Sequence, residues 1–125
     1  MARIKEFEEL TSWQEARRLV NSIYEITRKD KFAADFELKS QIRRSAISVM
    51  ANIAEGFHRN SDKDFSRFLD YARASLAETM SHNYIALDQD YIDQEELLAI
   101  KEICNSVGQK INKFISYLNQ TSRTS

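Results

Sequence analysis

No proline occurs in the 125 residues, and glycine occurs only twice, at Gly56 and Gly108. Turns between strands draw heavily on Gly and Pro, because those residues supply the backbone angles that other side chains resist. This composition therefore argues against a β-sandwich, a β-barrel or a glycine-cradled nucleotide fold. It leaves helices, which nothing here would interrupt. The length suits one domain.

Apolar spacing sets out four helices. Ser12-Trp13-Gln14-Glu15 fits a capping box with Ser12 as N-cap. Trp13, Ala16, Val20, Ile23 and Thr27 then recur at spacings of three and four, which predicts a helix over about 12–29. Residues 30–37 break the pattern and read as a connection, with Phe32 and Phe36 expected to plug the bundle end. A second helix starts near Leu38, with a stripe of Ile42, Ala46, Val49, Ile53 and Gly56. Ser61 opens a third helix that should reach about residue 88, and Asp93 to Glu96 cap a fourth. In that last helix Leu97, Ile100, Cys104, Val107, Ile111, Phe114 and Leu118 form the cleanest seam in the chain. The expected fold is an all-α, antiparallel up-down-up-down four-helix bundle over residues 1–118, followed by a frayed polar tail at 119–125.

The second helix is apolar around much of its girth. Ile47, Met50, Ala54 and Phe57 flank its main stripe, and from Ser45 to Phe57 its only long polar side chains are Asn52 and Glu55. Such a helix is buried on more than one side, so these four residues are the candidate oligomer interface.

Charge narrows the functional classes. Eighteen Lys and Arg against nineteen Asp and Glu give a net charge of −1, which is not that of a strongly basic nucleic-acid binder. Locally the balance is uneven: residues 81–100 hold five acids and no Lys or Arg, whereas 101–125 hold four basic residues and one acid. The basic set Lys39, Arg43, Arg44, His58, Arg59, Lys63, Arg67 and Arg73 reads either as a solvated face or as a surface for phosphates, combined from several copies in an oligomer. Arg59 and Lys63 flank one turn and are best placed to act together. An ion pair from Arg44 or Arg43 to Glu78 is expected between the second and third helices.

Enzyme chemistry has little support. No Ser-His-Asp order, Walker loop or paired zinc ligands are present. Glu55-Gly-Phe-His58 and Glu78/His82 have metal-ligand spacing, but the helical register separates the two histidines by roughly 30 Å. No metal or cofactor is expected. Cys104, the sole cysteine, sits on the core seam and reads as a structural thiol. With no disulfide possible, no signal-peptide core at the N-terminus and no run of about 20 apolar residues, a cytoplasmic protein without a membrane partner is expected.

The segment Gln41-Ile-Arg-Arg-Ser-Ala-Ile-Ser-Val-Met-Ala-Asn-Ile-Ala-Glu-Gly-Phe-His-Arg59 closely resembles the hallmark of the bacterial four helix bundle protein family, the ribosomal-RNA intervening-sequence proteins. Phe65 to Leu69, Ala72 to Leu76, Glu78 and the leading Phe7, Leu10, Trp13, Ala16 pattern also look like that family. The resemblance implies a small cytoplasmic bundle assembling as a homopentamer, with no established enzymatic activity. Some members are encoded inside large-subunit rRNA genes. A related branch serves diversity-generating retroelements and binds nucleic acid and a reverse transcriptase. The matching positions are Arg43, Arg44, Asn52, Glu55, Gly56, Arg59, Phe65, Leu69, Ser75 and Glu78. Two positions depart from the pattern: Ser45 stands where Ala is frequent, and Met50-Ala51 replaces a Pro-containing pair, so the second helix should be unkinked.

The function expected is a non-enzymatic, oligomeric interaction protein. It would bind ribosomal RNA, other nucleic acid or a nucleic-acid-handling partner such as a reverse transcriptase through Lys39, Arg43, Arg44, Arg59, Lys63 and Arg67. The alternative is a protein-binding assembly module that docks through the acidic segment 88–96.

Overall fold

The computed structural model describes residues 4–124, with side chains from Ile4 to Gln120. A single 3-10 turn, Phe7–Glu9, leads into helix α1, Thr11–Thr27. A five-residue helix α2, Asp30–Ala34, turns the chain into α3, Phe36–Phe57. Helices α4, Asp62–Asp88, and α5, Gln94–Thr124, complete the element order. The four long helices form a ring in which α3 packs on α1 and α4, and α5 closes against α4 and α1.

Cross-helix contacts show that neighbours run antiparallel. Arg43 on α3 reaches Tyr24 and Thr27 on α1. Rising numbers on one helix meet falling numbers on the next: Ser45 and Ser48 meet Thr79 and Ser75 across α3 and α4, and Phe65 and Arg73 meet Phe114 and Asn112 across α4 and α5. The expected all-α up-down-up-down bundle is the fold observed, with α2 as an added short helix.

Several boundaries differ from the sequence expectation for local reasons. Ser12 is not the first cap: α1 begins at Thr11, and Ser12 lies buried inside it. The capping partner is one turn earlier, where the Glu6 amide donates to Glu9. Residues 30–37 are helical on either side of Asp35, whose Oδ1 accepts from the Leu38 amide at 3.1 Å and starts α3 at Phe36. Phe32 does plug the core, fully buried and 5.3 Å from the Tyr91 ring. Phe36 does not; it is 74% exposed, because the Asp35 cap turns it outward on the first turn of α3.

The caps of α4 and α5 follow the sequence. Ser61 Oγ accepts from the Asp64 amide, and Asp93 and Glu96 each accept the other's amide in a reciprocal box. The chain turns into α5 through Asp90, which takes a left-handed φ of 62° that Asp tolerates better than most residues. Helix α5 continues through Thr124, so the backbone of the polar segment beyond Leu118 extends the helix as far as Thr124.

Gly56 fixes how closely α3 and α4 approach. A Cβ there would lie 2.8 Å from Phe65 Cδ1 and 2.9 Å from Phe68 Cβ. Only a residue without a side chain lets α4 leave the turn at that spacing.

Candidate nucleic-acid interface

The turn between α3 and α4 presents the densest basic cluster among the predicted residues. Helix α3 ends with the His58 and Arg59 amides bonded to the Glu55 and Gly56 carbonyls, and Ser61 starts α4 two residues later. That short link projects Arg59, Lys63 and Arg67 from one end of the bundle, all exposed. Arg59 and Arg67 both face Asp64, at 3.9 and 3.0 Å, and their guanidinium carbons lie 5.0 and 5.9 Å from the centre of the Phe68 ring. Exposed pairs of this kind contribute little to stability, and the remaining N–H groups stay available to an anion.

Helix α5 brings two further cations to the same end. Lys110 and Lys113 join Arg59 around an open cleft of about 1070 Å³. Phe57, Phe65, Phe114 and Tyr117 supply aromatic wall, and among the described residues Asp62 is the only carboxylate lining it. The rings continue a chain of aromatic contacts that begins at Trp13. It passes Phe7, His58, Phe57, Phe65 and Phe114 to Tyr117, with centroid separations of 5.0 to 6.2 Å. Tyr117, at the outer end, is 51% exposed. A cleft of this composition can attract phosphate and offer ring faces to a planar group.

Sequence reasoning missed Lys110 and Lys113. Their signal was the basic excess of residues 101–125, with Lys110, Lys113 and Tyr117 spaced three and four apart beside the apolar seam. The other half of the predicted basic set is elsewhere. About 22 Å of α3 separates Arg44 from Arg59. Lys39 lies 4.8 Å from the Phe36 ring centre. Arg43 is half-buried against α1, with Nε donating to Thr27 Oγ1 at 2.8 Å and its guanidinium 4.1 Å from the Tyr24 ring centre.

The ion pair expected from Arg43 or Arg44 to Glu78 is not formed. Glu78 instead lies 3.5 Å from His82 on its own helix. The register explains this: Ser75 sits opposite Ser48 and Thr79 opposite Ser45, and α1 holds Arg43. The two histidines are also apart, with His58 packed edge-on against Phe7 and Phe57 at the turn. Among the described residues no group of His, Cys, Asp and Glu is placed to hold a metal.

The predicted interface residues divide as well. Met50 and Phe57 are half-buried against the core, and Ala54 is half-buried. The apolar girth of α3 is largely taken up by its two neighbours in the same chain, α1 and α4. Ile47 stays open, 43% exposed, in a groove shared with Val20, Tyr24 and Arg28 of α1. In the acidic segment 88–96, Asp93 and Glu96 are used inside the fold, in the α5 cap and in an ion pair from Glu96 to Lys29.

The model of the 23S rRNA-intervening sequence protein family matches residues 8–113. The chain belongs to that family. The matched span of this intervening-sequence protein includes α1 to α4 and α5 as far as Lys113, hence all three cations of the cleft. A solved protein of unknown function from the S23 ribosomal protein family of Bacteroides thetaiotaomicron is 26% identical, with a TM-score of 0.70. The match covers 83% of this chain and 94% of that one. No curated protein matches the chain significantly. Among the described residues no helix is long and apolar enough to cross a membrane.

Proposed function

We propose that this intervening-sequence protein is a non-enzymatic, oligomeric interaction module of the cytoplasm. It binds RNA through the basic end of its bundle, with Arg59, Lys63 and Arg67 on one side and Lys110 and Lys113 on the other. The observation that carries this reading is the gathering of cations from the α3–α4 turn, the start of α4 and α5 on one end of a chain whose net charge is −1. The acidic segment is less suited to docking a protein partner, since two of its five acids already serve the fold.

A second copy is the partner proposed for the open groove at Ile47, as the resemblance to a pentameric family implies. Sedimentation of purified protein as a monomer would remove that part. The RNA part is tested by salt-titrated binding to a structured fragment of 23S rRNA. Affinity should fall steeply as salt rises, and the double reversal Lys63→Glu/Arg67→Glu should flatten that slope by about two contacts. No binding at about 50 mM salt removes it.

A further inference from the structure

We infer that the cleft between the α3–α4 turn and the far end of α5 takes an unpaired stretch of RNA. Its phosphates lie on Arg59, Lys110 and Lys113, and a base face lies on Tyr117. This inference rests on the RNA reading above and narrows it to one ligand class and one site.

Two observations favour an unpaired strand over a duplex, and a third favours a strand over a single nucleotide. First, the cations surround a concave space instead of lining a flat or convex face. A duplex presents phosphates on a convex surface, whereas a single strand bends into a cleft. Second, the walls are aromatic, and Tyr117 is half exposed at the end of the ring chain. A duplex hides its base faces in its own stack, so exposed rings gain nothing from it. An unpaired base has a face to offer. Third, the space of about 1070 Å³ is at the upper limit of small-molecule sites, which favours several linked nucleotides over one.

Asp62 opposes an anion from within the cleft, at the first position of α4. It provides a test that loss of folding cannot mimic, because neutralising it should increase binding.

The experiment measures anisotropy of a labelled oligouridylate of about ten nucleotides at about 50 mM salt. A blunt RNA duplex of equal length and uridine monophosphate serve as rival ligands. The oligouridylate should bind at least about tenfold more tightly than either rival. Tyr117→Ala should weaken oligouridylate binding about 5- to 100-fold and leave duplex binding unchanged, and Tyr117→Trp should restore it. Asp62→Asn should tighten it severalfold. Should Tyr117→Ala fail to fold, Lys113→Glu, at an exposed position, should produce a loss in its place. Equal binding of duplex and single strand, equal binding of the mononucleotide, or no response to Tyr117→Ala and Asp62→Asn overturns the inference while leaving RNA binding standing. Failure of every RNA, structured rRNA included, overturns both.

Discussion

Thr79 Oγ1 donates to Ser45 Oγ at 2.8 Å across the α3–α4 interface, and both residues are buried. One turn along, Ser48 and Ser75 repeat the contact, and Asn52 donates to the Ser48 hydroxyl at 3.0 Å. These small hydroxyls let two helices meet closely and make sense only in one register, since a slip would strand them against apolar neighbours. Thr79→Val should cost about 1 kcal/mol, and Ser45→Ala a similar amount. The double variant should lose less than the sum, read from a double-mutant cycle in urea. Full additivity would show that the pair does not couple.

The two glycines should respond oppositely to alanine. Gly56→Ala forces a Cβ against Phe65 and against the Phe68 Cβ, so α4 must move; a loss of about 1–3 kcal/mol is expected. At Gly108 the nearest atom is Leu76 Cδ2 at 3.5 Å, an ordinary contact. There alanine should stabilise by about 0.5–1 kcal/mol through helix propensity. Thermal midpoints that move in the same direction would contradict this account.

The adjacent arginines should differ just as clearly. Arg43 bridges to α1 through Thr27 and Tyr24, so Arg43→Ala should cost about 1–3 kcal/mol. Arg43→Lys should recover little, because an ammonium cannot both stack and donate from a fixed plane. Arg44 is exposed, and Arg44→Ala should stay within about 0.5 kcal/mol of the parent. Chemical denaturation of the three variants decides the matter.

Burial pushes the Cys104 thiol from an ordinary 9.0 up to about 12. Folding thus favours the protonated thiol. Its contribution is whole below pH 9 and is lost as pH rises towards 12. Wild type should lose stability over that window faster than Cys104→Ala, measured by urea titrations at successive pH values. Iodoacetamide at pH 8 should leave the native thiol unmodified and react once urea unfolds the chain.

Much of this architecture was legible along the chain. The seam from Leu97 to Leu118 and the stripe from Ile42 to Gly56 gave helices and buried faces because period and burial coincide there. Ser61 and Asp93 gave starts because a cap needs only residues three apart. Phe36 misled because an aromatic in a connection looks apolar whichever way the backbone aims it. Met50, Ala54 and Phe57 are half-buried in the single chain, and sequence shows that a helix is apolar all round without showing how much of it the same chain covers. Of the cleft, Arg59 was visible, and Lys110 and Lys113 were not, since about fifty residues separate the two sides.

The amino-acid order alone determined that this chain is helical, where its long helices lie and which stripes turn inward. Those properties depend on contacts within about four residues. Only the tertiary structure decided the register of α3 against α4, the diversion of Arg43 to α1 and the meeting of α5 with the α3–α4 turn. Each of these depends on how rigid helices interlock over tens of residues, where a shift of one turn leaves every local preference satisfied and changes every partner.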